Sequence, residues 1–458
     1  MHAVNLKQTA VMRSYCRTLV VGLGKTGVSC ARFLTRQGIR VAITDTRTNP
    51  PGLPTLREEL PDIALFLGGF QREVFESAEQ LIVSPGVSVA EPLIQEALGR
   101  GVPVIGDIEL FARAVKAPVV AVTGSNGKST VVSLLGEMAR YAGWRTAVGG
   151  NLGEPALDIL DDDNRFYVLE LSSFQLETTQ SLEPRAAAVL NVSPDHMDRY
   201  PSVAAYADAK SRIYRGAQVG VINLDDPRVR GMAGIADRDV GFTLGAAEGI
   251  NYGLGEREGE TWLCRGGRPL MPVSELLLRG RHNLANALAA LALGEASGLP
   301  VEAMLEGLRR FRGLAHRTQL LAEKRGVRWY NDSKGTNVGA TIAALEGLHA
   351  PQGPGRAILI AGGDCKGADF SELAPVVEHT CRGVVLIGRD ALRLESALRG
   401  RCPLERCDTL EQAVNAAAAT ARPGDHVLLS PACASFDMFR GFEHRGEVYA
   451  QLVEGLPE

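Results

Sequence analysis

The sequence predicts a three-domain α/β protein: an N-terminal Rossmann-like open sheet, a central P-loop ATPase-type parallel sheet with extra antiparallel strands, and a C-terminal Rossmann-like domain. Three observations predict it. The chain has 458 residues, and at about 150 residues per domain that favours three cores over one. Short β-branched runs recur, each followed by a Gly, Ser, Asn or Asp turn and then a helical pattern, which is how parallel α/β units read. These runs fall into three groups, each the size of a sheet.

The first group comprises residues 18–21, 41–44 and 81–83. A second begins at 118–122 and continues at 166–171, 187–191 and 219–223. Residues 241–272 then carry Gly, charge and short polar alternations, which read as antiparallel strands or loops. Ala and Leu positions placed for burial predict a helix over 283–296, with another near 301–311. The third group contains 327–330, 357–360, 384–387 and 426–429. Boundaries are expected near 106–116 and 313–320, giving domains 1–110, 111–315 and 316–458. No internal repeat is visible.

With 45% hydrophobic and 22% charged residues, 51 Gly and 5% aromatics, the composition excludes a disordered, collagenous or coiled-coil chain. A net charge of −4 leaves no broad positive field for a phosphate backbone, so no nucleic-acid partner is expected. No apolar run approaches the roughly 20 residues of a membrane span. Residues 1–15 lack the apolar core of a signal peptide, and a cytoplasmic location is expected. Cys16, Cys30, Cys264, Cys365, Cys381, Cys402, Cys407 and Cys433 form no C-x-x-C pair and are expected to be reduced, mostly buried thiols. Only eight of the 49 basic residues are lysine, so those retained should mark places where a compact amine is needed. Lys25, Lys128, Lys210, Lys334 and Lys366 all fall within motifs.

Ligands of open parallel sheets bind at the carboxyl ends of the strands, and the distinctive residues cluster there. In Val119-Val120-Ala121-Val122-Thr123-Gly124-Ser125-Asn126-Gly127-Lys128-Ser129-Thr130 a strand enters a glycine turn and then a helix. Gly124 and Gly127 let the backbone wrap phosphate oxygens, Lys128 reaches terminal phosphates and Ser129 can ligate magnesium. Val122 stands where the full Walker pattern has a glycine. Gly22-Leu23-Gly24-Lys25-Thr26-Gly27, with Asp45 downstream, fits a diphosphate turn that serves NAD or a UDP-sugar equally. Asp45-Thr46-Arg47 and Ser84-Pro85-Gly86 can complete that pocket.

Glu170 ends an apolar strand in Leu169-Glu170-Leu171-Ser172-Ser173-Phe174-Gln175, a place for magnesium. His196, in Asp195-His196-Met197-Asp198, reads by itself as a structural hydrogen-bonder, and Lys210 as a solvated lysine. His282, Asn283 and Asn286 open a helix, where Asn283 and Asn286 share a face able to grip an adenine edge or simply cap the helix. Polar groups are dense in Asn331-Asp332-Ser333-Lys334-Gly335-Thr336-Asn337, in Gly362-Gly363-Asp364-Cys365-Lys366-Gly367 and from Ser430 to Asp437.

Taken in order and together with His316-Arg317, these motifs resemble the Mur ligase family, ATP-dependent amide ligases that build the peptide of bacterial peptidoglycan. The block from Ser430 through Phe439, Arg440 and Phe442 resembles its D-glutamate-adding branch. The resemblance implies UDP-N-acetylmuramoyl-L-alanine, D-glutamate and ATP as substrates, magnesium, with two ions expected, and a monomeric enzyme. It assigns Gly24, Thr26, Asp45, Thr46, Arg47, Ser84 and Gly86 to the UDP-substrate, with Asn151, Ser172 and His196 along the reacting carboxylate. Gly124, Asn126, Gly127, Lys128, Ser129, Thr130, His282, Asn283, Asn286, Arg317 and Asp332 would serve ATP. Lys334, Thr336, Lys366, Ser435 and Phe442 would position D-glutamate. Ser129 and Glu170 would hold one magnesium and His196 a second, with a carbamylated Lys210, and Lys128, Glu170, His196 and Lys210 would carry catalysis. The alternatives are a sibling ligase or folylpolyglutamate-synthase-like enzyme, an NAD oxidoreductase that leaves the Lys128 motif idle, and a nucleotide switch, for which the chain lacks an Asn-Lys-x-Asp signature.

Overall fold

A computed structural model describes residues 17–278, 280–349, 355–365 and 367–457. The N-terminal sheet joins β1 (Thr18–Val21), β2 (Val41–Asp45), β3 (Ala64–Leu67), β4 (Gln80–Val83) and β5 (Val104–Ile105), all parallel, in the order β3-β2-β1-β4-β5. The chain reverses direction of winding at β1, so a crevice opens between β1 and β4 at their carboxyl ends. Ser84 Oγ donates to Gly22 O at 2.9 Å across it. A Cβ at Gly27 would strike Gly22 O, which explains the third glycine of the turn.

The central sheet has nine strands in the order β14-β13-β12-β11-β10-β9-β6-β8-β7. These are β6 (Val119–Thr123), β7 (Thr146–Gly150), β8 (Phe166–Glu170), β9 (Ala186–Val189), β10 (Gly220–Asn223), β11 (Asp239–Phe242), β12 (Tyr252–Arg257), β13 (Glu260–Arg265) and β14 (Arg268–Pro272). β12, β13 and β14 form the antiparallel extension expected of residues 241–272. Helix Arg281–Ser297 buries an unbroken run from Ala287 to Leu293 against this sheet, as its small and branched apolar residues require.

The C-terminal sheet contains β15 (Gln319–Lys324), β16 (Val327–Asn331), β17 (Ala357–Gly362), β18 (Cys381–Ile387), β19 (Leu404–Arg406) and β20 (His426–Leu429), ordered β15-β16-β20-β17-β18-β19. Only β15 runs antiparallel. Strands β3, β5, β7, β15 and β19 escape the sequence reading because they are edge or near-edge strands. They carry half-exposed positions, glycine or only two residues, which erases the apolar run that announces a buried strand. Among the described residues no helix is long and apolar enough to cross a membrane.

One expectation is overturned here. Cys365 and Cys433 are not separate thiols but a disulfide, with Cα atoms 4.5 Å apart. The physical reason is topological: β17 and β20 are neighbours, so the loops at their carboxyl ends converge, and Asp364 bridges Ala434 between them. Cys30, Cys264, Cys381, Cys402 and Cys407 are free, and Cys16 lies outside the described residues.

Candidate active site

The glycine turn after β6 opens helix Lys128–Tyr141. Gly127 sits at φ +84° and Gly124 at +150°, conformations that glycine adopts without strain. Asn191, at the end of β9, brackets the turn: its Oδ1 accepts from Asn126 N at 2.8 Å and its Nδ2 donates to Asn126 O at 3.1 Å. Sequence reading passed over this residue, whose only signal is an amide directly after an apolar strand. Lys128 Nζ donates to Gly124 O at 2.8 Å and Ser125 O at 2.9 Å, holding the amine over the turn. Burial pushes its pKa down, opposed by Glu170 and Asp195.

Glu170 is almost fully buried. Burial raises its pKa, but Lys128, the hydroxyl of Ser129, Asn151 and Arg317 outweigh that and hold the carboxylate ionised below its ordinary range. Its Oε2 accepts from Ser129 Oγ and its Oε1 from Asn151 Nδ2 at 2.7 Å. Arg317 Nη2 reaches the same Ser129 Oγ at 2.6 Å. The hydroxyl and carboxylate are adjacent hard oxygen donors, the ligand chemistry magnesium takes alongside phosphate oxygens and water. Among the described residues no group of three or more His, Cys, Asp or Glu is placed to hold a metal ion.

Lys210 is 1% exposed, contrary to the solvated lysine that its helix position alone suggests. Its Nζ donates to Gly124 O at 3.0 Å and lies 4.3 Å from the centre of the Tyr206 ring. Burial, reinforced by Lys128 and opposed by Asp195 and Glu170, drives its pKa far below that of a free lysine. His196 adopts φ +57°, and its ring packs edge-on to Phe174 and to the same Tyr206, with centroid distances of 4.9 and 6.3 Å.

Two cavities flank this centre. One is lined by Asn126, Gly127, Thr130, His282, Asn283, Asn286, Arg317, Asp332 and Lys334, bringing together most residues assigned to ATP. Burial raises the Asp332 pKa to about 6 and lowers that of His282. The second is lined by Gly24, Thr26, Asp45, Thr46, Arg47, Ser84, Gly86, Asn151 and Gln175. Asp45 is committed to the fold: its carboxylate accepts from Leu23 N at 2.7 Å and pairs with Arg47. Ser172 does not line this cavity but forms a reciprocal cap with Gln175, which does. Gln175 in turn donates to buried Asp107 at 2.9 Å.

The residues assigned to D-glutamate are divided. Lys334 lies over the Phe442 ring at 3.7 Å, with its pKa lowered to about 8 by burial and then by Arg317. Thr336 lines a third cavity with His196, Asp195 and Asn337. Ser435 is buried, and Lys366 lies outside the described residues. Arg445, 1% exposed, went unnoticed in the sequence; it donates to Ser333 Oγ at 3.0 Å, to Ser333 O at 2.8 Å and to Cys433 O, tying together the loops that carry Lys334 and Ser435.

Three family models match in chain order: "Mur ligase MurD-like, N-terminal domain" over residues 16–106, "Mur ligase middle domain" over 122–294 and "Mur ligase, glutamate ligase domain" over 316–433. The chain belongs to the Mur ligase family. Within that family it is 57% identical to the UDP-N-acetylmuramoylalanine--D-glutamate ligase of Nitrosococcus oceani over 96% of both chains. It is 53% identical to the protein of the same name from Pseudomonas aeruginosa, over 96% of this chain and 98% of that one. The fold of the family is seen in UDP-N-acetylmuramate-alanine ligase from Thermotoga maritima, at TM-score 0.61 and 18% identity over 96% of this chain and 99% of that one. Crystal structure I of MurF from Acinetobacter baumannii superposes at TM-score 0.60 with 18% identity, over 98% of each chain.

Proposed function

We propose that this Mur ligase joins D-glutamate to UDP-N-acetylmuramoyl-L-alanine at the expense of ATP, as a cytoplasmic monomer divided into domains 1–110, 111–315 and 316–458. The observation that carries the reading is one hydrogen-bonded chain, Asn151–Glu170–Ser129–Arg317. It runs from the wall of the Gly22–Gly27 cavity, through the glycine cradle, to the wall of the Asn283–Asn286 cavity. A UDP-linked carboxylate and a nucleotide triphosphate held in those cavities meet at its centre. The names and identity of the relatives support the substrates.

A carboxylate is a poor acyl donor. In the proposed reaction the alanyl carboxylate, lying along Asn151, Ser172 and His196, attacks the γ-phosphate to give an acyl phosphate and ADP. Lys128 and Arg317 supply fixed positive charge against the charge that develops. The amine of D-glutamate, held by Lys334, Thr336, Lys366, Ser435 and Phe442, then attacks the acyl carbon, and phosphate leaves as the amide forms. Residues of the closed C-terminal sheet exclude water that would hydrolyse the intermediate. Ser129 and Glu170 would hold one magnesium ion and His196 a second; bound there, the metal supplies charge neutralisation for the phosphates. Lys210 is proposed to be carbamylated, because burial eases loss of its proton and an amine without that proton can add CO2 whereas a guanidinium cannot.

Phosphate release from ATP and magnesium with the UDP-substrate tests the function, comparing D-glutamate, L-glutamate, meso-diaminopimelate and no amino acid. Release that requires D-glutamate, with the new amide seen by mass, is expected. Release with another amino acid moves the chain to a sibling activity, and none with any of them removes the ligase reading.

A further inference from the structure

Helix Val338–Leu348 begins at Asn337, whose Oδ1 caps it by accepting from Ala340 N at 2.8 Å. Ser, Thr or Asp would serve that cap as well. Asparagine alone among these adds an NH2 group, and here the NH2 is used. It donates to Asn126 Oδ1 and to Asp195 Oδ2, each at 3.2 Å, while Asn126 Nδ2 returns to Asn337 Oδ1 at 3.4 Å. The partners are 211 and 142 residues distant in sequence. Both are themselves held: Asn126 by Asn191 on its backbone, and Asp195 by accepting from His196 N at 2.9 Å. The backbones approach closely enough that a Cβ at Gly339 would lie 3.3 Å from Ser193 Oγ and 3.4 Å from Asn126 Nδ2.

We propose that Asn337 is a positioning residue that latches the loop carrying Lys334 and Thr336 onto the glycine cradle and the His196 loop. The proposal rests on the ligase reading. Thr336 immediately precedes Asn337 and Lys334 stands three residues before it, and Thr336, Asn337, Asp195 and His196 line one cavity. The latch therefore joins the segment that delivers the amine to the segments that hold the phosphates, in the geometry where the two halves of the reaction meet. Its effect is on timing and water exclusion rather than on affinity for the UDP-substrate.

The test separates cap from latch. Asn337→Ser keeps the cap and removes the NH2; Asn337→Asp keeps the cap and turns a carboxylate toward Asp195. Turnover, the KM for each substrate, thermal midpoints and the ratio of phosphate released to amide formed are measured for both beside the wild type. Asn337→Ser should lower kcat about tenfold with the KM for the UDP-substrate changed less than about twofold. Phosphate should exceed amide as acyl phosphate is lost to water, and Asn337→Asp should be worse on both counts. A purely structural cap ranks Asp equal to or better than Ser, so that ranking, or one-to-one coupling with wild-type kcat in both variants, overturns the proposal even if one variant is less stable. Failure of the wild type itself to form amide from D-glutamate would instead remove the ligase reading and the latch with it.

Discussion

At the scale of single residues, burial rather than residue type decides what the lysines do. Lys334 is predicted to be cationic below about pH 8 and neutral above it, because burial and Arg317 depress its pKa to about 8. A cation is what a D-glutamate carboxylate would pair with, so the KM for D-glutamate should rise as pH passes upward through 8 while the KM for ATP does not follow. The substrate amine must itself lose a proton to react, which raises kcat over the same range, so the two parameters should diverge. Initial rates between pH 7 and 9.5 check this; a flat KM for D-glutamate would dissociate Lys334 from that carboxylate. The scarcity of lysine in the chain pointed at Lys334 and Lys210, but nothing local to either residue foretold its burial. Lys334 meets Phe442 from far along the chain, and Lys210 meets Gly124 O from the glycine turn as well as Tyr206 on its own helix.

At the scale of elements, the glycine turn between β6 and helix Lys128–Tyr141 was legible because its chemistry is local. A strand, left-handed glycines and a helix N-terminus are all written within twelve residues, Val119 to Thr130. Gly127→Ala is expected to leave the far-ultraviolet spectrum intact yet raise the KM for ATP more than about tenfold. The added methyl must sit at φ +84° and strike Asn286 Oδ1, on the helix that lines the same cavity. Titration with a nonhydrolysable nucleotide reads the loss; unchanged nucleotide affinity would mean the turn does not wrap phosphate. The antiparallel extension β12–β14 was legible only as strands or loops, and the pairing of its strands decided between them. The edge strands were not, since half-exposed positions leave no apolar run. The Cys365–Cys433 pair was misread for a related reason: it joins residues 68 apart, and no spacing rule reports that two loops of adjacent strands meet.

For the whole molecule, the arrangement is one in which the C-terminal sheet is engaged with the centre. Arg317 reaches Ser129 and Asn337 reaches Asn126. The N-terminal sheet is tied to the centre by Arg32 to Asp158 at 2.7 Å and Lys25 to Gly153 O at 2.9 Å. These hydrogen bonds between the C-terminal part and the centre are polar, the kind that interdomain motion breaks. Small-angle scattering is therefore expected to show contraction on adding the UDP-substrate and a nonhydrolysable ATP analogue, toward the roughly 23 Å of a compact chain of this length. Identical radii with and without ligands would refute closure. Sequence by itself determined the three sheet groups, the glycine cradle, the family and the residue types available for catalysis, because each is carried by a local pattern of burial, turn chemistry or helix start. Tertiary structure alone decided which of those residues share a cavity, in which direction burial and neighbours shift Glu170 and Lys210, and which distant partners Asn337, Asn191 and Arg445 meet. Those outcomes depend on desolvation and on partners brought together from distant parts of the chain, and neither is encoded in any short stretch of it.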